Sequence, residues 1–266
     1  MSRTLTEAAR SDERVAARSP LRRLLVRPET GALVGAIALF VFFTAMADAF
    51  LRAGSLSTVL YAASTFGIMA VSVSLLMIGG EFDLSAGVMV TTSALVASTV
   101  SFQLGLNVWV GAAISLAVTL ALGFGNGLLY VRTGLPSFIV TLGTFFMLAG
   151  ANLGVTKLVT GNVATPSIAD MDGFDSAKQV FAADLPFFGV NIKITVVWWL
   201  LMVAAATWLL LRTRAGNWIF AVGGAAASAR AVGVPVARTK IGLFMGVAFT
   251  AWFSGMHLLF AFDSVQ

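Results

Sequence analysis

The chain has 266 residues, of which 58% are hydrophobic and only 11% charged, and its mean hydropathy is +0.92. A soluble domain carries roughly a quarter charged residues, so this is an integral membrane protein covered largely by lipid. With no Cys and a single His, thiol catalysis, disulfides, Cys-ligated metals and a multi-His metal site within one chain are excluded, and a net charge of +5, with seven of the seventeen Lys and Arg before residue 30, is not a nucleic-acid footprint.

Residues 1–28 form a basic tail with seven arginines, Arg3, Arg10, Arg14, Arg18, Arg22, Arg23 and Arg27. It reads as a solvated cytoplasmic arm or an anchor on anionic membrane lipid. Arg22-Arg23 imitates a twin-arginine signal and Ala45-Met46-Ala47 a signal-peptidase site. The long polar arm and the many spans that follow favour an uncleaved first helix. Apolar runs near the required ~20 residues then predict seven spans, at 31–51, 57–79, 84–102, 107–131, 137–156, 193–211 and 240–262. All are expected to be helical, because open strands leave backbone groups unsatisfied in lipid. The expected fold is therefore all-α, a polytopic transmembrane helix bundle occupying residues 29–266.

Orientation follows from the cations. A cytoplasmic N-terminus places the seven tail arginines, Arg132, Arg212, Arg214, Arg230, Arg238 and Lys240 inside, 13 in all, against Arg52, Lys157, Lys178 and Lys193, four in all, outside. That asymmetry favours this topology over its reverse. Residues 157–192 become the largest outside loop, containing Gly161, Pro166, Gly173, Pro186 and Gly189. A loop of this length carries a function or a short surface helix. Residues 212–239 become the largest inside loop, basic and without an acid. Its alanine-rich centre at 225–231, between Gly223-Gly224 and Gly233 with Pro235, predicts a short helix outside the membrane. Small residues at four-residue spacing, Gly123 with Gly127, Gly150 with Gly154 and Gly242 with Gly246, predict close helix approaches.

The most informative segment is Gly79-Gly80-Glu81-Phe82-Asp83-Leu84-Ser85-Ala86-Gly87. Two carboxylates there interrupt an apolar tract, which predicts a helix break with backbone in water or buried in protein. Asp83 is placed to cap the third span, taking free backbone N–H groups at a positive helix end. Glu81 has no ready local partner, and the topology puts Arg132 and Arg212 on its side. Asn126, in Gly125-Asn126-Gly127, is the other polar interruption, suited to an interhelical hydrogen bond or a pathway lining. His257 stands in the last span near Trp252 and Asp263, more as a hydrogen-bonded helix contact than as a proton relay. None of the four lysines follows a glycine, so the chain has no P-loop and is not its own ATP motor.

The stretch GGEFDLSAGVM resembles the Gly-Gly-x-x-Asp-Leu-Ser-x-Gly signature of permease subunits of ribose- and xylose-type bacterial ABC sugar importers. Three further stretches resemble the same family in order: GNGLLYVRTGLPSFIVTLGTFFMLAG, WLLLRTRAGNWIFAVGG and ARAVGVPVARTKIGLFM. Together they cover about residues 30–266. The resemblance implies a homodimer around a central pathway in the bacterial inner membrane, fed by a periplasmic or extracellular sugar-binding protein. It also implies a cytoplasmic ABC ATPase, which holds ATP and Mg; no cofactor is expected in this chain, nor catalysis by it, and nucleic acid is not an expected partner. On that mapping Gly216, Gly223, Gly224, Arg230 and Gly233 belong to the coupling segment. Glu81, Asp83, Asn126 and Thr141 belong to the pathway or its gate, and 157–192 to the binding-protein contact. Two departures accompany the likeness: alanines at 225–227 replace the polar or acidic residues that relatives carry, and relatives continue beyond Gln266 with further spans, so the chain reads as a shortened permease. The function expected is import of a monosaccharide. Alternatives are import of branched-chain amino acids or another small solute, a non-transporting membrane scaffold, and, least favoured, an intramembrane enzyme using Glu81, Asp83 and His257.

Overall fold

The computed structural model of the protein describes residues 28–187 and 189–266. The basic tail expected at 1–28 lies, apart from its last residue, outside the described residues. Among those described are nine helices and one two-stranded sheet: α1 (Pro28–Met46), α2 (Ala53–Ile78), α3 (Ala86–Leu104), α4 (Val108–Thr133), α5 (Ser137–Thr160), α6 (Phe174–Phe181), β1 (Asp184–Phe187), β2 (Val190–Lys193), α7 (Ile194–Arg212), α8 (Arg214–Ala231) and α9 (Val236–Phe262). Six of them (α2, α3, α4, α5, α7 and α9) are long and apolar enough to cross a membrane. The all-α, multi-pass architecture expected from the sequence is the one observed.

The seventh expected span differs. The apolar run at 31–51 does not continue as one helix: α1 stops at Met46 and turns occupy 48–52. Asp48 and Arg52 bracket those turns, which are closed by Phe50 N–H to the Ala47 carbonyl (2.9 Å) and Arg52 N–H to the Ala49 carbonyl (3.1 Å). Phe50 packs its ring on Phe40 and Phe43. The chain divides between Ser55 and Leu56 into two compact units, of which the second carries the remaining features.

In that second unit α9 is the central helix. It packs against α3, α4, α6 and α8, and most of its length is buried. Glycine permits this. A Cβ on Gly123 would lie 2.6 Å from the Ala248 Cβ, and one on Gly127 would lie 2.8 Å from the Ile241 Cα, so α4 and α9 meet backbone to backbone. The pairs Gly150 with Gly154 and Gly242 with Gly246 behave differently: added Cβ atoms there meet nothing within 4 Å. Hydroxyl pairs stitch other helices, Ser64 to Thr195 (2.8 Å) and Ser72 to Thr250. By contrast α7 is apolar all round and mostly exposed, with Leu200, Leu201, Trp208 and Leu211 outward, as suits a helix facing lipid.

The segment expected as the long outside loop is largely ordered structure. α5 continues to Thr160, α6 follows after an irregular stretch, and β1 pairs antiparallel with β2 in the register Asp184 to Lys193. The amphipathic α6 buries Phe174, Ala177 and Phe181, and stacks Phe181 on Phe260 of α9. Residues 263–265 are tied to the same region by Thr165 N–H to the Val265 carbonyl (2.8 Å) and Ile168 N–H to the Asp263 carbonyl (3.0 Å).

Candidate functional site: a buried helix break and the helix seated on it

Between α2 and α3 the chain leaves helical geometry for seven residues. Gly80 takes φ +83°, a left-handed conformation that L side chains rarely adopt. Burial alternates along the break: Gly79, Glu81, Asp83 and Ser85 are buried, while Gly80 and Phe82 are exposed. Its amides find partners within the molecule. Gly80 N–H donates to the Met77 carbonyl (3.0 Å) and Glu81 N–H to the Leu76 carbonyl (3.1 Å). Phe82 N–H donates to Ser137 Oγ (3.2 Å) and Leu84 N–H to Thr141 Oγ1 (3.1 Å), both hydroxyls standing on the first turns of α5. Thr141 passes its own proton to the Ser137 carbonyl (2.8 Å). Thr141 thus holds the break in place. Buried backbone groups without such partners would each cost a few kcal/mol in a region without water (roughly 1–3 from mutational data).

Asp83 follows its capping expectation in chemistry but not in position. Helix α3 begins at Ala86, not near 84, and the cap position falls to Ser85, whose side chain makes no capping bond. Asp83 Oδ1 instead accepts from Ser85 N–H (2.8 Å) and from Ser85 Oγ–H (2.6 Å). Its Oδ2 is buried without a hydrogen-bond partner. Asn126, wholly inside, then joins three elements. Its Nδ2–H donates to Ser85 Oγ (2.9 Å) and its Oδ1 accepts from Thr144 Oγ1 of α5 (2.6 Å). A chain of hydrogen bonds therefore runs from Asp83 through Ser85 and Asn126 to Thr144.

Glu81 corrects the sequence expectation most clearly. Its partner is neither Arg132 nor Arg212, both of which are exposed. It is Lys240, whose Nζ makes the ion pair and also donates to Tyr130 Oη (2.6 Å). The Lys240 ammonium lies 4.8 Å from the Tyr130 ring centroid. Lys240 reaches Glu81 because α9 begins at Val236 rather than at 240. That places Lys240 on the buried stripe Val236, Lys240, Phe244, Val247, an i, i+4, i+8, i+11 pattern. The same spacing is visible in the sequence, but charge alone groups Lys240 with the cations of the inside loop.

The five residues expected to form the coupling segment lie in and just after α8. Thr213 Oγ1 caps the helix from Gly216 N–H (3.1 Å), and a side chain at Gly216 would strike the carbonyls of Leu209 and Leu210 at the sharp turn from α7. Gly223 is seated on the break: a Cβ there would collide with the Ile78 carbonyl, and Gly80 in turn faces the Gly223 Cα (3.4 Å from an added Cβ). Gly224 has open space around it. At Ala225 the helix bends, the backbone turning extended at φ −154° and ψ 90°. The short helix expected at 225–231 is therefore the second half of a longer, bent one. Arg230 is exposed in its last turn, and Gly233, at φ +86°, closes it by donating to the Arg230 carbonyl (3.1 Å).

His257 lies in a different part of the molecule and is fully satisfied. Its Nδ1–H donates to the Phe181 carbonyl (2.8 Å), which leaves Nε2 to accept from Tyr61 Oη–H (2.9 Å). Among the described residues no group of three or more His, Asp or Glu could hold a metal ion.

Comparison with known proteins decides what kind of membrane protein carries this break. The family model described as "Branched-chain amino acid transport system / permease component" matches residues 55–266, most of the chain. The chain belongs to that permease family. Its curated relatives include the ribose import permease protein RbsC of Escherichia coli, 27% identical over 240 residues, 90% of this chain and 71% of the relative. The fructose import permease protein FrcC of Rhizobium meliloti is 26% identical over 234 residues, 88% of this chain and 64% of the relative. The autoinducer 2 import system permease protein LsrD of Yersinia pestis is 26% identical over 215 residues, 79% of this chain and 62% of the relative. No solved structure matches the chain. The protein is thus a multi-pass membrane permease and not an enzyme of the Glu81, Asp83 and His257 type.

Proposed function

We propose that this permease is the membrane subunit of an ATP-binding-cassette importer that moves a monosaccharide across the bacterial inner membrane, with its N-terminus in the cytoplasm. In this reading two copies enclose the pathway. A soluble sugar-binding protein delivers substrate to the face built by residues 157–192. A separate cytoplasmic ATPase, carrying ATP and Mg, docks on α8. The ribose- and fructose-named relatives support a sugar substrate. The family description favours a second reading, import of branched-chain amino acids.

The observation that carries the coupling part is the seat of Gly223 on Ile78 and Gly80. A displacement of α8 cannot leave the break unmoved, because the two backbones touch with no side chain between them to absorb it. Glu81, Asp83, Asn126 and Thr141 would then act as the framework of a gate rather than as substrate ligands. Arg230, exposed at the end of α8, is the cation offered to the ATPase. Reconstituted with its ATPase in proteoliposomes, the permease should stimulate ATP hydrolysis, and Arg230→Glu should abolish the stimulation. An unchanged rate in the charge-reversed variant would refute docking through Arg230. Uptake of a panel of sugars and branched-chain amino acids, with the cognate binding protein, separates the two substrate readings.

A further inference from the structure

A cavity of about 400 Å³ lies outside the break, bounded by α2, α7, α8 and α9. Its two ends differ in chemistry. On α9 the lining runs from Arg238 and Thr239, at the end near the α8 junction, to the bare backbone at Gly242 and Gly246, with Trp218 of α8 and Ser72 and Leu75 of α2 completing the wall. Arg212 and Arg214 stand at the junction of α7 and α8, whose residues Leu209 and Ala215 line the same cavity. Among the described residues none of these three arginines makes an ion pair, and the whole segment 212–239 contains no acid that could supply one. The cavity wall stays accessible, with Trp218, Arg238 and Gly242 exposed. Among the described residues nothing lies within 4 Å of a Cβ added at Gly242 or Gly246, so these glycines serve no helix contact there.

We propose that this cavity binds an anionic phospholipid, its phosphate held by Arg238 and the neighbouring arginines and one acyl chain lying along Gly242 and Gly246. Charge complementarity decides for this occupant. Unpaired arginines at the edge of membrane-spanning helices meet anionic headgroups, and a Trp beside them sits at the headgroup level. The floor of the cavity is apolar, which an acyl chain satisfies and a free phosphate does not. The site would place a lipid against α8 and against Leu243, which also lies against Gly79 of the break. The leaflet concerned is the one that meets α8, whichever side of the membrane that is, so the proposal stands apart from the functional reading above.

The test uses the full chain purified in a zwitterionic detergent and read by native mass spectrometry and thermal unfolding. Phosphatidylglycerol, phosphatidylcholine and glycerol phosphate serve as probes. Phosphatidylglycerol should be retained at one copy per chain and raise the unfolding temperature, with phosphatidylcholine and glycerol phosphate doing neither. Arg238→Gln should weaken retention by about tenfold, in line with the loss of one charge-assisted hydrogen bond. Gly242→Leu fills the acyl end and should abolish retention while leaving the unliganded unfolding temperature unchanged or higher; Gly246→Val does the same from the next turn. Equal retention of phosphatidylcholine, or phosphatidylglycerol retained undiminished by either filled-cavity variant, overturns the proposal. So does stabilisation by glycerol phosphate alone, which would mark an anion site without a lipid. Dimer formation that vanishes in Gly242→Leu without any lipid retained would assign the cavity to a second copy instead.

Discussion

Two ion pairs of the same chemistry sit at two places in this permease. Lys240 and Glu81 meet inside the bundle with side chains only 8% and 7% exposed. Lys193 and Asp184 meet at 2.8 Å across the end of the β1–β2 hairpin, with side chains 33% and 49% exposed. The second pair closes a hairpin whose register is already set by its backbone ladder, and water competes for both charges. The first pair joins the break that follows α2 to α9, where water does not compete. Its attraction is stronger, and so is the penalty for leaving either member alone. One pair therefore decorates a surface turn, and the other ties α9 to the break between α2 and α3.

Four substitutions break or sharpen that contrast. Lys240→Met should have the largest effect, about 3–5 kcal/mol of lost stability, because it strands a buried carboxylate. Unfolding in detergent reads it, and pairing it with Glu81→Leu should recover much of the loss. Should Lys240→Met cost no more than a surface change, the pair is not the structural tie described here. Asn126→Leu comes next. It removes the partner of both Ser85 and Thr144 and should cost about 1–3 kcal/mol, the price of buried unsatisfied polar groups. Asp83→Asn should cost under about 1 kcal/mol, since the amide oxygen can accept from Ser85 N–H and Oγ–H as the carboxylate does. Uptake lost with unfolding unchanged would instead reveal a charge-dependent step at Asp83. Smallest of all, Asp184→Asn should change stability by about 0–1 kcal/mol, and high salt should erase the difference. A larger, salt-insensitive effect would show that the hairpin end is sheltered after all.

Most of the bundle was legible in the chain itself. Runs of apolar residues located the six long helices to within a few residues, because lipid leaves the backbone few alternatives to a helix. The errors at helix ends have physical causes. The helix in the run at 31–51 stops at Met46, and apolar composition alone does not distinguish its continuation from a turn that packs Phe50 back on Phe40 and Phe43 of α1. Gly123 and Gly127 make the close approach that their spacing predicts, while Gly150 with Gly154 and Gly242 with Gly246, identical in pattern, face open space among the described residues. Spacing says that a helix face is small; it does not say whether another helix reaches it.

At the candidate site the division is sharper. The sequence by itself determined that residues 79–87 interrupt a membrane tract, that Asp83 would serve local amides, and that Asn126 would be polar in an apolar helix. These are consequences of nearest neighbours and of the energy of polar groups in lipid. Only the tertiary structure decided who meets whom. Glu81 finds Lys240 at a separation of 159 residues, Phe82 and Leu84 find hydroxyls on α5, and Gly223 finds the carbonyl of Ile78. Each of these partners is chosen by the packing of α9, α5 and α8 around the break. Charge sign and hydrogen-bonding capacity restrict the partners, but distance selects one, and distance belongs to the packed bundle.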